Sequence, residues 1–142
     1  MLPRFQHILV PVDFTLKNQA ALDIAFDMAE QHSARVTLVH VIETIEGASD
    51  EEVRSFYNRL ETRAQSEMES VSQRFVEAGI DIDYKIRYGK RTEQIVLDSI
   101  ERGVDLIVMN SHKLDPQDLV YSMGTISYQV SMFCPCAILL IK

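Results

Sequence analysis

Short apolar runs alternate with longer amphipathic stretches along this chain, and that alternation limits its fold more than any other feature. The run HILVPV at 7–12 is rich in branched residues and reads as a strand buried on both faces. Pro11 near its end has no N–H, which a sheet tolerates only at an edge or a terminus. Residues 17–32 carry Ala21, Ile24, Ala25, Met28 and Ala29 at helical spacing, with Thr15 or Asn18 as candidate caps. RVTLVHVI at 35–42 is a second strand. A long helix follows over 50–78, with Val53, Phe56, Tyr57, Leu60, Ala64, Met68, Val71 and Phe75 on one face. Ser49 and Asp50 before Glu51 and Glu52 suit its start, and Gly79 suits its end.

The stretch at 81–88 alternates polar and apolar residues, placing Ile82, Tyr84, Ile86 and Tyr88 on one face, as at a sheet edge. A third helix is predicted over 91–102, with Ile95, Val96, Ser99 and Ile100 inward. VDLIVMN at 104–110 is a fourth strand, 124–133 a short helix, and CAILLI, from Cys136 to Ile141, the last strand. Strands alternating with helices imply a parallel sheet with right-handed crossovers and helices on both faces. The expected architecture is a three-layer α/β fold, doubly wound, with five parallel strands in the order 3-2-1-4-5. Ligands of such sheets bind where the chain winds outward in opposite directions, here at the carboxyl ends of strands one and four.

The length of 142 residues fits one domain, 1–142, and 46% hydrophobic with 25% charged residues is ordinary globular composition. Fourteen basic and 21 acidic residues give a formal charge of −7, which argues against nucleic acid or anionic membrane as partners. No stretch approaches the roughly 20 apolar residues of a membrane span. The first residues lack the features of a signal peptide, so a cytoplasmic location is expected. Cys134 and Cys136 read as free thiols: a disulfide across that spacing would be strained, and two thiols do not complete a zinc site.

Two segments meet at the expected crevice. Asp13 follows the first strand directly, either bracing the loop or capping the helix, or meeting a ligand hydroxyl. The loop at 111–123, SHKLDPQDLVYSM, is long for a compact α/β unit and is a candidate surface for protein partners. Gly124-Thr125 then opens a helix, which serves equally as an ordinary cap or as a place for a phosphate. His112 and Lys113 lie in the loop, as solvated residues or near a phosphate. Lys90-Arg91 reads as a solvated pair at a helix start rather than as a phosphate clamp. The four histidines show no metal spacing, and neither a Ser-His-Asp arrangement nor a Walker-type phosphate loop is present, so no catalytic or metal-ligating residue is assigned.

Across nearly all of its length the chain resembles the universal stress proteins, through HILVPVDFT, LVHVI, Gly89, VDLIVMNSH and MGTISYQVSMFCPCAILLIK. The resemblance implies an adenine nucleotide alpha hydrolase-like, Rossmann-like fold. It also implies an adenine nucleotide (ATP, ADP or AMP, with or without Mg2+) in the crevice. Adenine would lie against Pro11, Val12, Val41 and Met109, and Asp13 would face the nucleoside. Asn110, His112, Lys113, Gly124 and Thr125 would surround ribose and phosphates. Nucleotide-binding members carry Gly-x2-Gly-x9-Gly-Ser/Thr after strand four. Here Asn110 and Lys113 stand at the first two glycines, and ten residues separate Lys113 from Gly124.

Two functions follow. The first is a stress-response switch that binds an adenine nucleotide, with at most slow, incidental ATP hydrolysis. The alternative is a dimeric interaction protein that does not bind nucleotide, because the glycine motif is altered. In either case the apolar last strand, residues 136–141, invites pairing with a second copy, as the resemblance also implies.

Overall fold

Period-two burial along the central strands divides the core into two layers. In β1 (His7–Pro11) Ile8 and Val10 face one side of the sheet and Leu9 the other, all fully buried. The structure is a computed structural model and describes residues 4–44, 50–111 and 116–142. β2 (Arg35–Ile42), β3 (Ile82–Tyr88), β4 (Leu106–Asn110) and β5 (Ala137–Ile141) complete one parallel sheet in the order β3-β2-β1-β4-β5, as expected.

α1 (Asn18–His32) and α2 (Glu51–Glu77) cover one face, where Leu22, Ala25, Met68 and Phe75 meet Ile8, Val10, Leu38 and Val108. α3 (Arg91–Glu101) and α5 (Ile126–Phe133) cover the other, where Ile95 and Val130 meet Leu9, Val39, Ile107 and Met109. The sheet edges fall where the sequence places them, at β3 and β5. Asp50 caps α2 by accepting from the Glu52 N–H at 3.3 Å. Among the described residues no helix is long and apolar enough to cross a membrane.

Four expectations need correction. Neither Thr15 nor Asn18 caps α1: the cap position is Lys17, without a side-chain bond, and Asn18 is buried inside the first turn. Phe56 is 48% exposed, because α2 buries its side chains only from Ala64 onward. Ile100 is 56% exposed, because α3 turns Asp98 inward instead. A five-residue helix, α4 (Leu119–Met123), stands inside the segment read as loop, capped by Asp118 accepting from the Tyr121 N–H at 3.0 Å. The predicted helix at 124–133 accordingly starts at Ile126.

The inward turn of Asp98 has a physical cause. Its carboxylate is fully buried and its Oδ1 accepts from Arg87 Nη1 at 2.8 Å and from Arg102 Nε at 3.3 Å, with Oδ2 ion-paired 3.2 Å from the same Arg102 Nε. Arg102 Nη1 reaches Asp83 Oδ2 at 2.7 Å, and Asp83 Oδ1 accepts from the Thr37 hydroxyl at 2.6 Å. That hydroxyl has spent its proton, so it accepts from His7 Nε2 at 2.7 Å, which fixes the tautomer of the ring. The chain of bonds ties the C-terminal end of α3 to three strands, and Arg87 Nε, donating to Gln94 Oε1 at 2.8 Å, reaches the first turn of α3, where the crevice is walled.

Candidate functional site

The site begins where β1 and β4 stop pairing. Their register covers only Ile8↔Leu106 and Leu9↔Ile107. Val12 N–H bonds Val39 O at 2.8 Å, so by alternation the backbone groups of Pro11 face β4. Pro11 has no N–H to offer on that side, and the strands part there. A parallel sheet that splits at its carboxyl end, between strands whose connections leave in opposite directions, forms a crevice.

Pro11, Val12, Asp13, Val41, Met109 and Asn110 all line that crevice, a partly open cavity of about 90 Å³. Six of the ten candidate residues therefore come together. The walls are apolar at Val12, Val39, Val41, Ile95, Met109 and Ile126, and polar at Asp13, His40, Arg91 and Asn110. Over Asp13, His40, Val41 and Arg91 the crevice continues into an open groove of about 480 Å³ beside α2, lined also by Arg63 and Glu67. Among the described residues no cluster of three or more His, Cys, Asp or Glu could hold a metal ion.

Asp13 braces its own loop. Its Oδ1 accepts from the Thr15 N–H at 2.9 Å and the Thr15 hydroxyl at 2.6 Å. The turn puts Phe14 at φ 62°, a left-handed conformation uncommon for an aromatic residue. Phe14 thereby lays its ring against His40, with centroids 4.5 Å apart. His40 Nδ1 lies 2.7 Å from Val12 O. A carbonyl only accepts, so Nδ1 carries a proton and faces Val12 O.

Gly124 and Thr125 stand outside the crevice lining, although the next residue, Ile126, belongs to it. Thr125 is buried and serves as the N-cap of α5: its hydroxyl donates to Ser122 O at 2.9 Å and accepts from the Tyr128 N–H at 3.4 Å. Gly124 has an ordinary φ of −84°, and a Cβ there would meet Tyr121 O at 3.4 Å, so the local backbone does not demand glycine. His112 and Lys113 lie outside the described residues.

The sequence reading missed Val39, His40, Arg91, Ile95 and Ile126. Alternation along the second strand carried a signal for Val39, two residues before Val41. Arg91, read as solvated, does pair loosely with Glu43 at 3.5 Å, but it also walls the crevice. Its place depends on how α3 docks, which strand and helix periodicity do not encode. Cys134 and Cys136 are both half-buried free thiols, as expected. Burial, then the neighbouring Cys134, pushes the Cys136 thiol up to about 11, so it stays protonated at neutral pH.

Comparison with known proteins places this geometry. The chain is 22% identical to universal stress protein YxiE of Bacillus subtilis, over 97% of this chain and 99% of that protein. The solved structure of universal stress protein UspA from Lactobacillus plantarum superposes with a TM-score of 0.83 at 24% identity, covering 98% of this chain and 99% of that one. A universal stress protein from Archaeoglobus fulgidus, solved in complex with dAMP, has a TM-score of 0.70 at 16% identity, covering 97% and 98%. The model of the universal stress protein family matches residues 4–142, and the chain belongs to that family.

Proposed function

We propose that this protein binds an adenine nucleotide (ATP, ADP or AMP) in the crevice between β1 and β4, and that occupancy regulates the surface it presents to partners. The observation that carries this reading is the convergence of Pro11, Val12, Asp13, Val41, Met109 and Asn110 on one partly apolar crevice at the split of the sheet. The dAMP complex of the Archaeoglobus relative supports the ligand class. The apolar walls suit a purine, and the polar rim suits a sugar and its phosphate. Lys113, His112, Gly124 and Thr125 would stand on the phosphate side, and Mg2+ would arrive with the phosphates. Partners would meet the segment at 111–123.

A second reading, a dimer that works without nucleotide, is favoured by the commitment of the Thr125 hydroxyl to capping and by the apolar outer surface. Val120 is 83% and Phe133 69% exposed, and Leu139 on the edge strand 37%. In both readings β5 pairs with β5 of a second copy about a two-fold axis. Calorimetric titration with AMP and ATP, each with and without Mg2+, separates the two. Micromolar binding weakened by Asp13→Ala supports the switch, and no heat at millimolar nucleotide refutes it. Leu139→Lys should halve the solution mass measured by light scattering; an unchanged dimer would refute the edge pairing.

A further inference from the structure

Asn110 occupies the position of the first glycine of the nucleotide motif, and the structure gives it a partner that the motif lacks. Asn18, from the first turn of α1, is fully buried and spans the split between β1 and β4. Its Nδ2 donates to Pro11 O at 3.1 Å and to Asn110 Oδ1 at 3.2 Å. Chemistry alone fixes both amides. Pro11 O can only accept, so the nitrogen of Asn18 must face it. That same nitrogen faces Asn110, so Asn110 must present its oxygen there. The Nδ2 of Asn110 is thereby turned away from Asn18, and among the described residues it has no acceptor, while Asn110 lines the crevice.

One further observation points the same way. Asn18 Oδ1 is buried and has no hydrogen-bond partner. An unpaired buried acceptor is a cost that a purely structural bridge across the two strands need not carry.

We infer that Asn110 supplies a side-chain N–H donor to an acceptor oxygen on the sugar or phosphate of the bound nucleotide, and that Asn18 is the positioning residue that aims it. This rests on the nucleotide reading of the crevice. A glycine at 110 permits close backbone approach; asparagine gives up that approach and offers a directed donor in its place. Restoring the motif should therefore weaken binding.

The test is calorimetric titration of the full chain with AMP and with adenosine, for the wild type, Asn110→Gly, Asn110→Asp and Asn18→Ser. Asn110→Gly and Asn110→Asp should each weaken AMP roughly fivefold to tenfold, the worth of one hydrogen bond. An equal loss with adenosine assigns the acceptor to the sugar, and a loss confined to AMP assigns it to the phosphate. In the wild type, AMP should shift the Asn110 side-chain amide resonances, which are identified by their absence in Asn110→Gly. Asn18→Ser should move those resonances in the free protein and weaken AMP several-fold. A merely structural Asn18 would lower the melting temperature and leave AMP affinity untouched, which overturns its positioning role. Wild-type binding that Asn110→Gly leaves equal or makes tighter overturns the inference alone. Absence of wild-type binding overturns the nucleotide reading and this inference with it.

Discussion

Asp98 is a buried carboxylate faced by two arginines. It is 0% exposed, and the two guanidiniums that face it are themselves only 12% and 23% exposed. Asp98→Asn keeps the shape and removes the charge. Both arginine hydrogen bonds fall on Oδ1, so the amide can keep its oxygen there, with its NH2 at the Oδ2 position 3.2 Å from Arg102 Nε, but both arginines lose their buried anion. Arg87 retains Glu101 at 3.0 Å, but that carboxylate is 55% exposed and screened by water. Arg102 retains Asp83 at 2.7 Å. Breaking a buried pair by removing one partner costs about 3–5 kcal/mol. That is a large fraction of the roughly 5–15 kcal/mol that holds a domain together. At about 3 °C per kcal/mol for a chain of this size, the melting temperature should fall by about 9–15 °C. Urea unfolding followed by far-UV circular dichroism measures the loss as a lower midpoint at an unchanged slope. Glu101→Gln is the control and should leave the midpoint almost where it is. A loss below about 1 kcal/mol for Asp98→Asn would refute the reasoning, because it would mean that water reaches the arginines when the carboxylate is gone.

Two further predictions come from the same layer of the fold. Burial, then the charge of Arg35, pushes His7 below the ordinary imidazole range, so the unfolded chain takes up a proton before the folded one does. Stability contributed this way is complete above about pH 6.5 and is lost as the pH falls from there toward the lowered folded value. The stability difference between wild type and His7→Gln, measured by urea unfolding between pH 7.5 and 5, should therefore shrink on acidification; a constant difference would refute it. Gly89→Ala should cost about 1–3 kcal/mol, since Gly89 sits at φ 137° with Gln94 Nε2 2.8 Å from where a Cβ would stand; a midpoint shift within error in the same assay would refute that strain.

The strands were legible because each is a run of branched apolar residues bounded by polar turns, and because β3, half-covered at its edge, alternates where the others do not. The sheet order followed from crossover handedness and from that one polar strand. Ile100 was misread for a reason built into hydrophobic periodicity: it counts every carboxylate as outward, whereas Asp98 is buried by two arginines, one of them on β3. α4 was invisible because four of its five residues, Leu119, Val120, Tyr121 and Met123, are exposed apolar side chains, so no face distinguishes itself. The crevice was half legible. Its β1 and β4 walls follow from topology, while Arg91, Ile95 and Ile126 come from helices whose docking is set by packing and by the buried ion pairs.

The altered motif shows what position-by-position comparison leaves out. Scored alone, Asn110 is a lost glycine. In the fold it is bonded to Asn18, 92 residues away in sequence, across a gap that exists because β1 ends in a proline. Three residues that look unrelated along the chain thus form one local solution. Pro11 opens the sheet, Asn18 bridges the opening, and Asn110 takes its orientation from the bridge. A glycine at 110 would leave Asn18 Nδ2 with Pro11 O alone, so Asn110→Gly should lower stability by about 0.5–1.5 kcal/mol for the lost hydrogen bond. In Asn18→Ser that bond is already gone. The same glycine should then cost less, and the two stability losses should sum to more than the loss in the double variant. A double-mutant cycle in urea that gives strictly additive losses would show that the two amides do not act together.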